Sequence, residues 1–240
     1  AEATFTPAGE SPLRLMEAYG LVALFWARAA LSALDLSKRK LAPEVVSALT
    51  RGFPARLSWL SLEACDIAKR GNDLAGLQCL CQFASLPDSG LLTLRLASNA
   101  LLPTACAPLS HALQHSPSLT AVDLSHNSLC GKAHGIGKYE PSGIEAVARA
   151  LTTNRTLTAL NMLGNELDTE AAKMLATIAK ARGISLCGIS PTQTHANFYY
   201  MGLKAPDAQL LAADLKLRPS LTILELPSNE IGPEGASALA

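Results

Sequence analysis

Neither sign of charge is in excess in this chain. Twenty lysines and arginines stand against twenty aspartates and glutamates, and the sequence pI is near 7.1. Without a net field, the chain has no overall electrostatic attraction for nucleic acid, an anionic membrane or a strongly charged substrate. A membrane-spanning run is missing as well. The most apolar stretch, Leu21 to Ala27, is seven residues long and lies between Gly20 and Arg28. Spanning a bilayer takes roughly 20 residues, so this stretch reads as part of a buried helix. The first residue is Ala1 rather than Met, and the chain stops at Ala240 inside a helical pattern. A piece of a longer chain or assembly is therefore expected.

Metal and redox motifs are absent in the same way. The six cysteines are scattered, and Cys79-Gln-Cys81 has neither the spacing nor the downstream partner of a zinc or dithiol site. They read as buried, reduced thiols acting as small hydrophobes, which favours an intracellular, reducing compartment. His111 and His115 are four apart on one helix but lack a third ligand, and no histidine accompanies a Ser or Cys in a nucleophile context. Gly135-Ile-Gly137-Lys138 lacks the upstream glycine and following Ser/Thr of a phosphate loop, so the stretch 130–140 reads as a surface insertion. No catalytic residue, cofactor or metal is expected.

What the sequence does contain is 49% apolar residues and one spacing rule repeated from end to end. Leu157-Thr-Ala-Leu160-Asn-Met162-Leu-Gly-Asn165-Glu-Leu167 is apolar at places one, four, six and eleven, with asparagine at nine. The rule recurs from Leu31, Leu57, Leu91, Leu119 and Leu221, and the steps between the first five copies are 26, 34, 28 and 38 residues. A base unit near 28 residues with insertions lies inside the window of strand–helix repeats. Between copies fall helical patterns at 43–50, 73–86, 103–115, 142–152, 168–181 and 207–217, with a further start at Pro233. Ser142 with Glu145 is the pattern of a capping box, and Asp168 and Asp207 are candidate N-caps. Residues 1–30 read as a loose arm, from 1 to 11, followed by a capping helix from Leu13 to about Ala30, and 31–240 as one repeat domain. Two registers compete at 184–203, the first starting at Ile184 and the second at Gln193. Two strands joined by a tight return through Ser190–Gln193 fit the spacing best.

Places four and six point to one side of a short strand, and three, five and seven to the other. The following helix carries its own apolar stripe, so each unit buries its faces only against its neighbours. The helices are bulkier than the strands, which puts the sheet on the concave side. The asparagines at place nine, Asn99, Asn127, Asn165 and Asn229, are placed to bond the backbone of adjacent turns. Arg39, Cys65 and Met201 interrupt that column, and looser or different turns are expected at those positions.

This L-x-x-L-x-L-x-x-N-x-L pattern resembles the leucine-rich repeat superfamily, in its longer strand–helix form as in ribonuclease inhibitors and NOD-like receptors. The resemblance implies an α/β solenoid with parallel strands on the concave face and helices on the convex face. Ile184–Ile189 with Ala205–Asp214 also resembles repeat proteins of unicellular algae and other protists. The family's implied role is protein–protein interaction or scaffolding as a structural subunit, with regulation of a small GTPase or ligand sensing as the alternative. A protein partner is therefore expected, with no nucleic acid. Among the outward places, Trp59, Arg95, Asp123, Leu163, Tyr199, Ile223 and Glu225 stand out from a small polar background as candidate partner contacts.

Overall fold

A computed structural model describes residues 3–5, 12–27, 31–131 and 137–240. Strands and helices alternate as β1 (Ala3–Phe5), α1 (Leu15–Ala27), β2 (Leu31–Asp35), α2 (Pro43–Arg51), β3 (Trp59–Ser61), α3 (Ala75–Ala84) and β4 (Thr93–Arg95). A single 3-10 turn, Pro103–Ala105, leads into α4 (Cys106–His115). Next come β5 (Ala121–Asp123), α5 (Ser142–Thr153), β6 (Ala159–Asn161), α6 (Thr169–Arg182), β7 (His195–Asn197), α7 (Ala205–Leu217), β8 (Ile223–Glu225) and α8 (Gly232–Leu239). All strand pairs are parallel, in the order β1 to β6 in one sheet and β7–β8 in a second.

The spacing rule becomes register. Place four pairs with place four from β2 to β6, through Leu34, Leu60, Leu94, Val122 and Leu160. All five are buried, as are the helix residues facing them, such as Leu49, Leu80, Leu113, Leu151 and Leu175. Removing one such leucine from water is worth about 2 kcal/mol, and no unit collects that gain alone. The strands are short because place eight turns left-handed. Lys38, Ala64, Ser98, His126, Tyr200 and Ser228 all have φ between 52° and 63°.

Two ladders of side chains bond the backbone between units. Asn127 Oδ1 accepts from Asn99 N (2.9 Å) and Leu101 N (3.1 Å), while its amide donates to Leu96, Leu124 and Ser125 carbonyls. Asn99 serves Cys65 N and Ile67 N in the same way, and Asn229 serves Met201 N and Leu203 N. The second ladder, not anticipated, runs along place two. Ser58, Thr120, Thr158 and Thr222 hydroxyls each donate to the place-two carbonyl of the preceding unit, at 3.0–3.1 Å.

Several expectations are corrected. Residues 3–5 are not loose, because their backbone pairs with β2 and extends the sheet. Cys65 does not loosen its turn: the buried thiol donates to Leu36 O (3.1 Å) in place of an amide. Ser142 forms no capping box. It is already inside α5 and donates its hydroxyl to Glu140. Asp207 is not the N-cap of α7, which is Lys204; it is the third helical residue and reaches back to accept from Lys204 N (2.9 Å), as in a capping box, while also accepting from Gly164 N (2.8 Å). Asp168 is the N-cap of α6, accepting from Ala171 N at 2.8 Å. Asp168→Ala is expected to cost about 1 kcal/mol, measured by urea unfolding.

The second register of the ambiguous region is a strand, but the first is reduced to one bridge, Ser185 with Ala159. Leu186 is the buried residue following that bridge, so the register differs by one from a copy starting at Ile184. No helix fits before β7, and α6 packs directly on α7. The sheet is therefore interrupted while the helix layer continues. A buried carboxylate fills the seam. Asp214 of α7 accepts from Ser185 Oγ (2.5 Å), Leu186 N (2.7 Å) and Cys187 N (3.1 Å). One turn on, Arg218 Nε donates to Ile189 O (2.9 Å).

Candidate partner-binding face

The sheet face opposite the helices is built from places three, five and seven. Identical register puts these places in rows across the strands. One row runs Asp35, Ser61, Arg95, Asp123, Asn161 along place five of β2 to β6. At these places four carboxylates, Asp35, Glu63, Asp123 and Glu225, stand against one guanidinium, Arg95, so this face is acidic within a chain of zero net charge. Arg95 bonds Glu63 at 2.7 Å and lies 3.8 Å from Asp123. Asp123 Oδ1 also accepts from Ser125 N and Oγ, and Asp35 Oδ1 from Ser37 N. These short side-chain bonds preorganise the face and lower the rotamer entropy lost on binding.

The candidate residues separate into two groups on either side of the seam. Trp59, Arg95 and Asp123 lie on the six-stranded sheet, and each is half-buried. Tyr199, Ile223 and Glu225 lie at β7–β8. There Glu225 bonds Asn197 and lies 3.3 Å from His195 Nε2. Tyr199 is 60% and Ile223 51% exposed. Leu163 is a correction: it is fully buried within the continuous core, so it offers no surface to a partner. At place seven the chain is already turning, and a large apolar side chain folds inward where Tyr199 stays out.

Sequence reasoning missed Tyr200. It is 78% exposed, and its ring centroid is 6.1 Å from that of Tyr199. Its signal was available: place eight is a left-handed turn position, where a bulky ring is unfavourable and calls for a reason. Leu92, 44% exposed at place two among hydroxyl residues, was also passed over.

The titratable interior offers protonated thiols rather than nucleophiles. Burial pushes Cys65, Cys81 and Cys106 up to about 12, and Cys187 well above the ordinary thiol value. Cys65, Cys79, Cys81, Cys106 and Cys187 are free thiols. Among the described residues no group of three or more His, Cys, Asp or Glu is placed to hold a metal, and no helix is long and apolar enough to cross a membrane. Of the expected insertion, residues 132–136 lie outside the described residues, while Tyr139 packs against the core.

Comparison with known proteins places these repeats. The leucine-rich repeat family pattern matches residues 115–129, 153–176 and 219–240. "NACHT, LRR and PYD domains-containing protein 13" of Homo sapiens is 28% identical over 138 residues, half of this chain. Protein 14 of the same description, also human, is 26% identical over 192 residues, or 71% of this chain. The chain spans 13% and 17% of the lengths of these two relatives. Among solved structures, the leucine-rich repeat-containing protein LegL7 from Legionella pneumophila aligns over 92% of this chain and 66% of its own. Its sequence identity is 20% and the TM-score 0.46.

Proposed function

We propose that this leucine-rich repeat protein binds a protein partner through the open strand face, as an interaction or scaffold module without catalysis of its own. The observation that carries the reading is the set of exposed large side chains at β7–β8, the neighbouring rings of Tyr199 and Tyr200 just beyond β7 and Ile223 on β8, on the same strand as Glu225. Exposed aromatic side chains bring large contact area with few rotatable bonds, which is the profile of an interface anchor. The acidic row across β2 to β5 adds an electrostatic preference for a partner presenting cations. Within the six-stranded sheet, Trp59 and the Glu63–Arg95–Asp123 group supply a second, more polar contact region. A fold of this kind hosts many functions, so the site and not the fold supports the assignment.

Tyr199→Ala together with Tyr200→Ala is expected to weaken partner binding by about tenfold or more while leaving the unfolding free energy within about 1 kcal/mol of the parent. Titration calorimetry with a partner isolated by crosslinking in its native assembly measures this. If the double variant binds as the parent does, the strand face is not the contact surface.

A further inference from the structure

On the opposite side of the molecule, α6 and α7 leave a groove of about 470 Å³ between them. Its floor includes Ala176 and Ala213, both half-buried, and its walls carry Lys173 and Lys180 from α6 and Lys216 from α7. All three lysines are exposed. Lys173 has a neighbouring carboxylate, Glu170 at 3.4 Å, which is itself 84% exposed. Among the described residues, neither Lys180 nor Lys216 is within ion-pair distance of a carboxylate. Gln209 also lines the groove, and its Oε1 is buried without a hydrogen-bond donor.

We propose that this groove docks an acidic helical segment of a partner protein. Lysines on a helix surface are ordinarily just solvated. Here three of them, from two helices, surround one apolar depression whose own walls contribute no carboxylate. Positive walls over an apolar floor match a helix with Asp or Glu on either side of a small apolar stripe. Alanine at the floor allows another helix to approach closely, toward the lower end of the 8–10 Å range of interaxial distances. Lys173 and Lys180 are two turns apart, about 10 Å along α6, so they meet carboxylates spaced by two turns on a helix packed alongside. A nucleic-acid or lipid phosphate would pair with the lysines but gain nothing from the alanine floor, which favours the peptide.

The test is selection of a displayed library of helical peptides, randomised on one face, against the intact chain and against Lys173→Gln/Lys180→Gln/Lys216→Gln. Glutamine preserves helix propensity and removes only the charge. The expected result is a set of parent-specific clones rich in Asp and Glu, whose synthetic peptides bind the triple variant at least about tenfold more weakly and weaken as salt is raised. Ala213→Phe, which fills the floor, is expected to abolish the same binding, and Tyr199→Ala/Tyr200→Ala to leave it unchanged. Parent-specific clones without acidic enrichment, or the absence of any such clone, would overturn the proposal. So would phosphatidylserine-containing phosphatidylcholine vesicles that bind through the three lysines irrespective of Ala213→Phe.

Discussion

Asn127→Ala is expected to destabilise the chain by about 4 kcal/mol, among the largest effects available from a single side chain. The reasoning rests on which partners the substitution strands. The carbonyls served by Asn127 keep a second donor: Leu96 O still receives Asn99 Nδ2, Leu124 O receives Asn165 Nδ2, and Ser125 O receives Ser98 N. The two donors keep nothing. Asn99 N and Leu101 N both belong to buried residues and bond only Asn127 Oδ1. A stranded buried N–H costs roughly 1–3 kcal/mol, and loss of the packed side chain adds to the two of them. Asn165 provides the contrast. Its Oδ1 accepts from no donor, so Asn165→Ala strands no N–H and is expected to cost about half as much. Urea unfolding of the two variants, with amide exchange at Asn99 and Leu101, measures the order directly. Equal losses would mean that the ladder is not what the asparagines contribute.

Asp214→Ala is expected to cost about 3 kcal/mol, for the same physical reason in a different place. Leu186 N loses its acceptor and Cys187 N keeps only the longer contact to Ser185 Oγ at 3.4 Å. The damage is expected to stay local, as fast amide exchange at 185–189 with the β2–β5 amides still protected, because repeat units communicate mainly through their neighbours. A pH dependence accompanies it. Burial raises the Asp214 carboxyl above its ordinary value of 3.8, against the lowering effect of its hydrogen-bond donors and Arg218. The native chain thus holds this proton to higher pH than the unfolded chain does. Between pH 3.8 and the raised value, the contribution of Asp214 to stability falls as pH rises, and below 3.8 it is fully present. The stability gap between the parent and Asp214→Asn is therefore expected to narrow as pH rises through that window, as urea midpoints at each pH would record. A gap constant across it would show that Asp214 titrates alike in both states.

The two variants also mark how much was legible in advance. The Asn127 ladder was readable, since an amide recurring at place nine has a backbone reason to be there. The role of Asp214 was not. It lies 27 residues beyond Cys187 on a helix, where an aspartate in a repeat looks like an ordinary surface charge. Only the direct packing of α6 on α7 carries it into the gap between β6 and β7. Leu163 and Tyr199 make the same point at the candidate site. Both are large side chains at place seven, yet one is fully buried and the other 60% exposed.

What the sequence determined by itself is therefore the repeating unit: which residues face the core, where each strand turns, and that units stack in parallel. Period and polarity encode these, and both are local properties. The tertiary structure alone decided where the stacking is interrupted, which outward residues remain outward, and which charges converge across helices distant in sequence. Those outcomes depend on how neighbouring units differ, and a rule shared by all units carries no information about their differences.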